Sequence, residues 1–136
     1  MGVWFKVDTG RGVPIYLQLI EQVRRAAAAG VLAPGEQLPS VRDLAVQLSV
    51  NPNTIAKAYQ EMEREGVVKT LRGRGTFMTA PTALLAEQER QRQLEQALER
   101  LLVEAYHLGF SREKVLSFIK ERLGKGEVGG NGARDE

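Results

Sequence analysis

Residues 38–77 read LPSVRDLAVQLSVNPNTIAKAYQEMEREGVVKTLRGRGTF and contain the start and stop signals of two consecutive helices. Ser40 carries the hydroxyl acceptor that caps a helix N-terminus, and apolar residues follow it at helical spacing. After the turn at residues 49–51, Asn51 supplies a second cap and Pro52 a first helical residue. Gly66 ends this second helix. The segment therefore predicts a short helix, a tight turn and a second helix.

The second helix has two chemically different faces. Apolar side chains recur on one side at helical spacing: Ile55, Ala58, Tyr59 and Met62. A polar set lies opposite, with Thr54 on its flank: Asn53, Lys57 and Gln60. Amide, hydroxyl and ammonium groups suit base edges and phosphates. An ordinary solvated helix face has the same polarity, so the helix alone does not separate the two interpretations.

A basic hairpin with glycines at its turn follows the helix pair. Residues 67–71 and 76–79 have strand composition, and Arg72-Gly73-Arg74-Gly75 joins them. The glycines permit positive φ, and the arginines reach phosphates or a narrow minor groove. A phosphate-binding loop of an enzyme is the rival use of such glycines, but the Walker spacing and a strand-to-helix GxGxxG are both missing. Helix pair and hairpin together predict contact with duplex DNA.

Helices are also predicted on both sides of this segment. PIYLQLIEQVRRAAAAG starts with Pro14 at the first helical position and ends at Gly30, and the preceding Trp4 and Phe5 are expected to cover an apolar edge. Residues 82–108 form a long predicted helix, and Ser111 caps another. From Gly124 onward the glycine-rich polar sequence predicts disorder.

The composition restricts the classes of protein that the chain fits. Its 136 residues suffice for one compact domain plus an appendage. Residues 1–80 hold 10 basic and 7 acidic side chains, a net charge of +3, which suits a polyanion partner. The chain has no cysteine, no signal sequence at its start and no apolar run of the roughly 20 residues that span a bilayer, so we expect a soluble cytoplasmic protein. No catalytic arrangement supports an enzyme, the single His107 makes no metal site, and no cofactor is expected.

Between residues 10 and 79 the chain resembles the winged helix-turn-helix domain of the GntR family of bacterial transcription regulators. The PIY opening, the PGEQLPSVRDLA block, the NPNT turn into a helix and the GRGTF hairpin occur in the family's order and spacing. The resemblance implies DNA-contacting residues on the helix pair: Arg42, Asn53, Thr54 and Lys57. It also implies a wing segment that enters the minor groove: Arg72, Gly73 and Arg74.

The C-terminal part is similar to the two-helix region of the YtrA subfamily, whose members end in segments like LGFSREKVLSFIKERL. An apolar stripe on the long helix has no sufficient cover in one small chain, so we predict that it forms a dimer interface. Its residues are Leu94, Leu98, Leu101, Leu102, Ala105 and Leu108. The expected fold is mostly α with a small β wing. It comprises a winged helix-turn-helix DNA-binding domain over residues 1–80, a two-helix dimerisation region over 81–123 and a disordered tail over 124–136.

The sequence therefore predicts a homodimeric transcription regulator that represses genes by binding a pseudo-palindromic operator. Two alternatives stay open at this point. One is a metabolite-responsive regulator with a site for a small-molecule effector, of unknown identity, at the dimer interface. The other is a winged-helix module that binds proteins and never touches DNA. Salt-dependent duplex binding separates the last from the first two.

Overall fold

The computed structural model describes residues 5–81 and 85–125. In chain order its elements are α1 (Ile15–Ala28), α2 (Val41–Leu48), α3 (Pro52–Arg64), β1 (Val68–Leu71), β2 (Gly75–Met78), α4 (Glu87–His107) and α5 (Arg112–Lys125). The two strands form an antiparallel hairpin in which Val68 pairs with Met78 and Leu71 pairs with Gly75. The prediction of a mostly α fold with a small β wing is confirmed.

Helix α3 is the central element of the N-terminal part, because it contacts α1, α2 and β1. It buries the four residues of its predicted apolar face: Ile55, Ala58, Tyr59 and Met62. The neighbouring helices contribute Leu19, Ile20 and Val23 from α1, and Leu44 and Ala45 from α2. Burying one large aliphatic side chain stabilises a fold by about 1.5–3 kcal/mol. This packing on three sides fixes the orientation of α3, and with it the direction of its polar face.

Two N-caps fix the starts of the helix pair as predicted. The Ser40 hydroxyl accepts the backbone N–H of Asp43 at 3.0 Å, and the Asn51 side chain accepts that of Asn53 at 2.8 Å. Between the helices, Ser49 adopts the left-handed conformation with φ of +54°. Each cap satisfies a backbone donor that a helix start otherwise leaves free, which is worth about 1 kcal/mol.

The start of α1 differs from the prediction by one residue. Pro14 precedes the helix, because its ψ of 143° is extended and helical geometry begins at Ile15. Its carbonyl accepts the backbone N–H groups of Leu17 and Gln18, both at 3.1 Å. At the other end Gly30 follows the helix with φ of +82°, as expected for a terminator.

An extended N-terminal segment is bound to α1 by a buried glutamine that sequence reasoning missed. Gln18 is only 1% exposed, and its Oε1 accepts the N–H of Asp8 at 2.9 Å. Its Nε2 donates to the carbonyls of Asp8 at 2.9 Å and Val13 at 2.8 Å. One turn along, Gln22 binds both backbone groups of Lys6 in the same way. Phe5 is buried in the core, which confirms its expected role, whereas Trp4 lies outside the described residues.

The loop before α2 pairs with the hairpin, although the sequence predicted only a structured loop there. The N–H of Gly35 donates to the carbonyl of Met78 at 2.8 Å, and the N–H of Leu38 donates to that of Thr76, also at 2.8 Å. Gln37 forms a single bridge to Phe77 between these bonds. The wing is therefore held along its second strand by residues 35–38.

Helices α4 and α5 pack on each other, and within the described ranges they contact none of the other helices or strands. Ala105 and Val115 are buried where the two helices meet. Helix α4 begins at Glu87, five residues after the predicted start at residue 82. Residues 82–84 lie outside the described part of the chain. Ser111 caps α5 by accepting the N–H of Lys114 at 3.1 Å. Helix α5 runs to Lys125, two residues past the predicted boundary, and the rest of the predicted tail, residues 126–136, is not described.

In the described chain no helix has the length and apolar character to cross a membrane.

Candidate nucleic-acid interface

The polar face of α3 is accessible in the structure. Asn53, Lys57 and Gln60 are exposed on the side opposite the buried residues, and Thr54 is half-buried at its edge. Asn53 lies in the first turn of α3, where the positive end of the helix dipole favours negative charge. This end of α3 therefore has the polarity that a phosphate or a base acceptor requires.

The cations of the predicted site are not neutralised by neighbouring carboxylates. Arg42, in the first turn of α2, is exposed, as are Arg72 and Arg74 at the hairpin tip. Within residues 5–81 and 85–125 these three form no ion pair. By contrast, Arg24 and Arg64 pair with Glu65 and Glu61, respectively. The three unpaired guanidinium groups keep their full charge for a polyanion.

Lys57 differs from these arginines because it contacts an aromatic ring. Its Nζ atom lies 4.2 Å from the ring centroid of Tyr16, in the first turn of α1. No carboxylate of the described residues lies within 4.0 Å of this ammonium group. The ring face attracts the cation without cancelling its charge. The structure thus brings a residue outside the predicted set, Tyr16, next to the polar face of α3.

The wing tip is a short turn fixed by its own backbone and by Gln37. The N–H of Arg74 donates to the carbonyl of Leu71 at 2.8 Å, and Gly73 has φ of +76°. Gln37 Nε2 donates to the carbonyl of Arg74 at 3.0 Å. Gly75, with φ of +125°, lets Gln37 approach so closely that a Cβ atom at position 75 would collide with Nε2. The tip backbone is therefore fixed, while its two arginine side chains extend into solvent.

A carboxylate of α3 binds the wing at the residue pair next to its tip, Thr70 and Thr76. Glu63 Oε1 accepts the hydroxyl of Thr70 at 3.2 Å, and that hydroxyl lies 3.3 Å from the hydroxyl of Thr76 on the paired strand. Because Glu63 is on α3 and Thr70 is on β1, these bonds couple the direction of the wing to that of α3. Neither residue was in the predicted site, and both act on position rather than on charge.

Tyr59 sets the distance between α3 and the loop that leads into α2. Its hydroxyl donates to the carbonyl of Pro39 at 2.6 Å. Burial raises the pKa of the Tyr59 phenol far above its ordinary value, so it stays neutral and keeps the proton that it donates. Pro39 directly precedes the Ser40 cap, so the contact also locates the first turn of α2, where Arg42 lies.

The predicted dimer residues divide into two groups. Four are exposed in the single chain: Leu94, Leu98, Leu101 and Leu108. Leu102 is half-buried and Ala105 is 7% exposed, at the contact between α4 and α5. Ala105 therefore packs within its own chain.

Comparison with known proteins agrees with this geometry. The family model described as "Bacterial regulatory proteins, gntR family" matches residues 15–78, from α1 to the last residue of β2. The HTH-type transcriptional repressor YtrA of Bacillus subtilis (strain 168) is 39% identical over 116 residues, which cover 85% of this chain and 89% of YtrA.

Two solved structures extend the likeness to α4 and α5. A transcriptional antiterminator from Listeria monocytogenes EGD-e is similar over 100% of both chains, with a TM-score of 0.74 and 29% identity. YtrA from Sulfolobus acidocaldarius, a GntR-family transcription factor, has a TM-score of 0.62 and 27% identity over 89% of this chain and 97% of its own. The family model covers residues 15–78, and the chain is 39% identical to Bacillus subtilis YtrA over 89% of that relative. The chain therefore belongs to the GntR family of bacterial regulatory proteins, in its YtrA subfamily.

Proposed function

We propose that this regulator binds a specific operator with α3 in the major groove and with the hairpin tip against the minor groove beside it. One observation carries the proposal. Arg42, Lys57, Arg72 and Arg74 come from three different elements, yet all four are exposed and without an ion pair in the described chain. Uncompensated cations around a polar helix face are what phosphate contacts on both sides of a groove require.

Within this set the roles divide by chemistry. Asn53 and Thr54 have the amide and hydroxyl that read base edges, and Lys57 reaches phosphate from the same face. Arg42 contributes a phosphate contact from α2. Arg72 and Arg74 enter the minor groove or contact its phosphates, and Gly73 allows the tip to approach closely.

The protein acts as a homodimer in this proposal, with the leucine stripe of α4 as the interface. Leu94 is 71% exposed and Leu98, one helical turn later on the same face, is 48% exposed. This exposure is high for two leucines of one apolar stripe. A stable pair of chains buries roughly 1,200 Å² or more, which a helix of 21 residues and its neighbour α5 are long enough to supply. Two identical recognition helices then meet two half-sites of a pseudo-palindrome about one helical turn of DNA apart.

Repression is the expected sign of regulation. The Bacillus subtilis relative is named a transcriptional repressor. Occupancy of the operator is the direct way for the described elements, a winged domain and two further helices, to act. This activity places the protein in the cytoplasm, with the bacterial chromosome.

A selection experiment tests the DNA-binding part. The full chain is mixed with a pool of duplexes that contain a randomised segment, and bound duplexes are sequenced after several rounds. We expect a pseudo-palindromic consensus, and a dissociation constant for that duplex that rises steeply with salt because bound cations displace counterions. A pool that stays random, or an affinity that does not change with salt, would refute operator binding.

Two single variants test the dimer, each of which places a carboxylate on one of the two opposite sides of α4. Leu98→Glu places a carboxylate in the stripe, and Val103→Glu, at a residue 51% exposed on the opposite side, is its matched control. Light scattering should give a monomer for Leu98→Glu and a dimer for Val103→Glu. If both variants remain dimeric, the dimer interface does not lie on the stripe.

A further inference from the structure

The contact between Tyr16 and Lys57 is a cation–π contact between α1 and the exposed polar face of α3. Tyr16 is in the first turn of α1, Lys57 is in the middle of the polar face of α3, and the ammonium lies 4.2 Å from the ring centroid. This distance is well inside the roughly 6 Å over which a ring face attracts a cation. A lysine on a solvated helix face has no such neighbour by default, since its four-carbon side chain is free to turn into water.

We propose that Tyr16 is a positioning residue for DNA binding, and that its ring holds the Lys57 ammonium in the orientation from which it meets a phosphate. The proposal rests on the proposed function, because it assigns a role within the same interface. It adds α1 to the elements that determine DNA contact. It also gives a role to the contact that a side chain in the first turn of α1 makes with α3.

The Tyr16 ring is held by its surroundings, whereas the Lys57 side chain is exposed, so the contact constrains Lys57 rather than the ring. Tyr16 packs against the core cluster, and its neighbour Gln18 is fixed by three hydrogen bonds to the N-terminal segment. Helix α3 packs directly on α1. A lysine loses up to about 2 kcal/mol of rotamer entropy when it is immobilised. A ring that restricts Lys57 in the free protein removes part of that loss from the binding step.

The charge of Lys57 stays available while it is held. A carboxylate partner would fix the side chain and also neutralise it, so a phosphate would have to compete for it. The ring face carries no net charge, and no carboxylate of the described ranges lies within 4.0 Å of the ammonium. The Tyr16 hydroxyl forms no hydrogen bond inside residues 5–81 and 85–125, so the ring face is the contact that the structure shows.

The test is a double-mutant cycle on the full chain, with the duplex consensus that the unaltered chain selects as the probe. Tyr16→Leu removes the ring and should weaken binding about two- to fivefold, the equivalent of a cation–π contact at an accessible site. Tyr16→Phe keeps the ring and should bind within about twofold of the unaltered chain. In a Lys57→Ala background, Tyr16→Leu should cause no further loss.

Two outcomes of the cycle would overturn the proposal. Equal losses from Tyr16→Leu with and without Lys57 would show that the ring acts independently of the lysine. A loss from Tyr16→Phe as large as that from Tyr16→Leu would show that the hydroxyl is the contact. Circular dichroism at the assay temperature confirms that each variant is folded.

A measurement without DNA separates this proposal from the proposed function. The ring current of Tyr16 should shift the ε-methylene protons of Lys57 upfield in the NMR spectrum of the free protein, and Tyr16→Leu should remove the shift. An unshifted Lys57 refutes the contact even if the operator binds tightly. A shifted Lys57 in a protein that binds no duplex refutes the role of Tyr16 in DNA binding, and in that case the failure lies with operator binding itself.

Discussion

Replacing Gly75 with Ala should destabilise the wing through two separate effects. The first is backbone strain: a φ of +125° is a conformation that side chains with a Cβ rarely adopt, at a cost of about 1–3 kcal/mol. The second is a collision with Gln37, whose Nε2 would overlap the new methyl group and whose Cδ would lie 3.3 Å from it. Gln37 must then turn away and lose its 3.0 Å bond to the carbonyl of Arg74, which is worth about 1 kcal/mol. The expected loss in the free energy of unfolding is about 2–4 kcal/mol.

Urea denaturation followed by circular dichroism measures this loss, and two variants separate its parts. Gly73→Ala in the same turn has φ of +76° and no atom within 4 Å of the new Cβ, so it should cost only about 1–2 kcal/mol. Gly75→Ala in a Gln37→Ala background should cost about 1 kcal/mol less than in the unaltered chain, because the collision and the lost bond are already gone. Equal costs in both backgrounds would refute the role given to Gln37. A cost for Gly75→Ala no larger than that for Gly73→Ala would refute it as well.

Three further variants test the interface and the assembly. Asn53→Ala should broaden the selected consensus and weaken binding by about 1–3 kcal/mol, and an unchanged consensus would remove Asn53 from base reading. Replacing Arg72 and Arg74 together with Ala should flatten the slope of log affinity against log salt by about one to two units per bound protomer, and an unchanged slope would mean that the tip faces away from DNA. Leu98→Glu should weaken binding to the full operator and leave the preference within each half-site intact, as judged by repeating the selection with this variant.

Local signals in the sequence were sufficient for the order of the elements and for the buried face of α3. The buried side of α3 matches the prediction because the interval between Ile55, Ala58, Tyr59 and Met62 depends only on helix geometry. The caps at Ser40 and Asn51 are equally local, since each side chain binds a backbone group two or three residues away. Boundaries were less accurate where the signal was weak. Helix α5 passes through Gly124 to Lys125, because a glycine weakens a helix by only about 1 kcal/mol and does not by itself end one.

The contacts that position the site could not be predicted in this way, because they join residues far apart in the chain. Gln37 and Arg74 are separated by 37 positions, and Tyr59 and Pro39 by 20. Nothing in the composition of the loop at residues 31–40 indicates that it pairs with β2. Buried Gln18 was missed for a related reason. An amide on a predicted helix looks like a solvent-facing residue until the backbone of Asp8 and Val13 is known to lie against it.

The contacts that position the site all lie on one side of the boundary between the winged domain and the C-terminal helices. The bonds from Gln37 to the tip, from Glu63 to Thr70 and from Tyr59 to Pro39 all lie in the N-terminal part. No helix or strand of that part contacts α4 or α5 in the described chain. The arrangement of α2, α3 and wing is therefore determined within one protomer. In the proposed dimer, each protomer has a complete DNA-binding surface formed by α2, α3 and the wing. Helices α4 and α5 determine only the distance and the angle between the two surfaces. A change in the C-terminal helices, whether by mutation or by an effector, would then act on the spacing of half-sites and on affinity, and it would leave the bases read in each half-site unchanged.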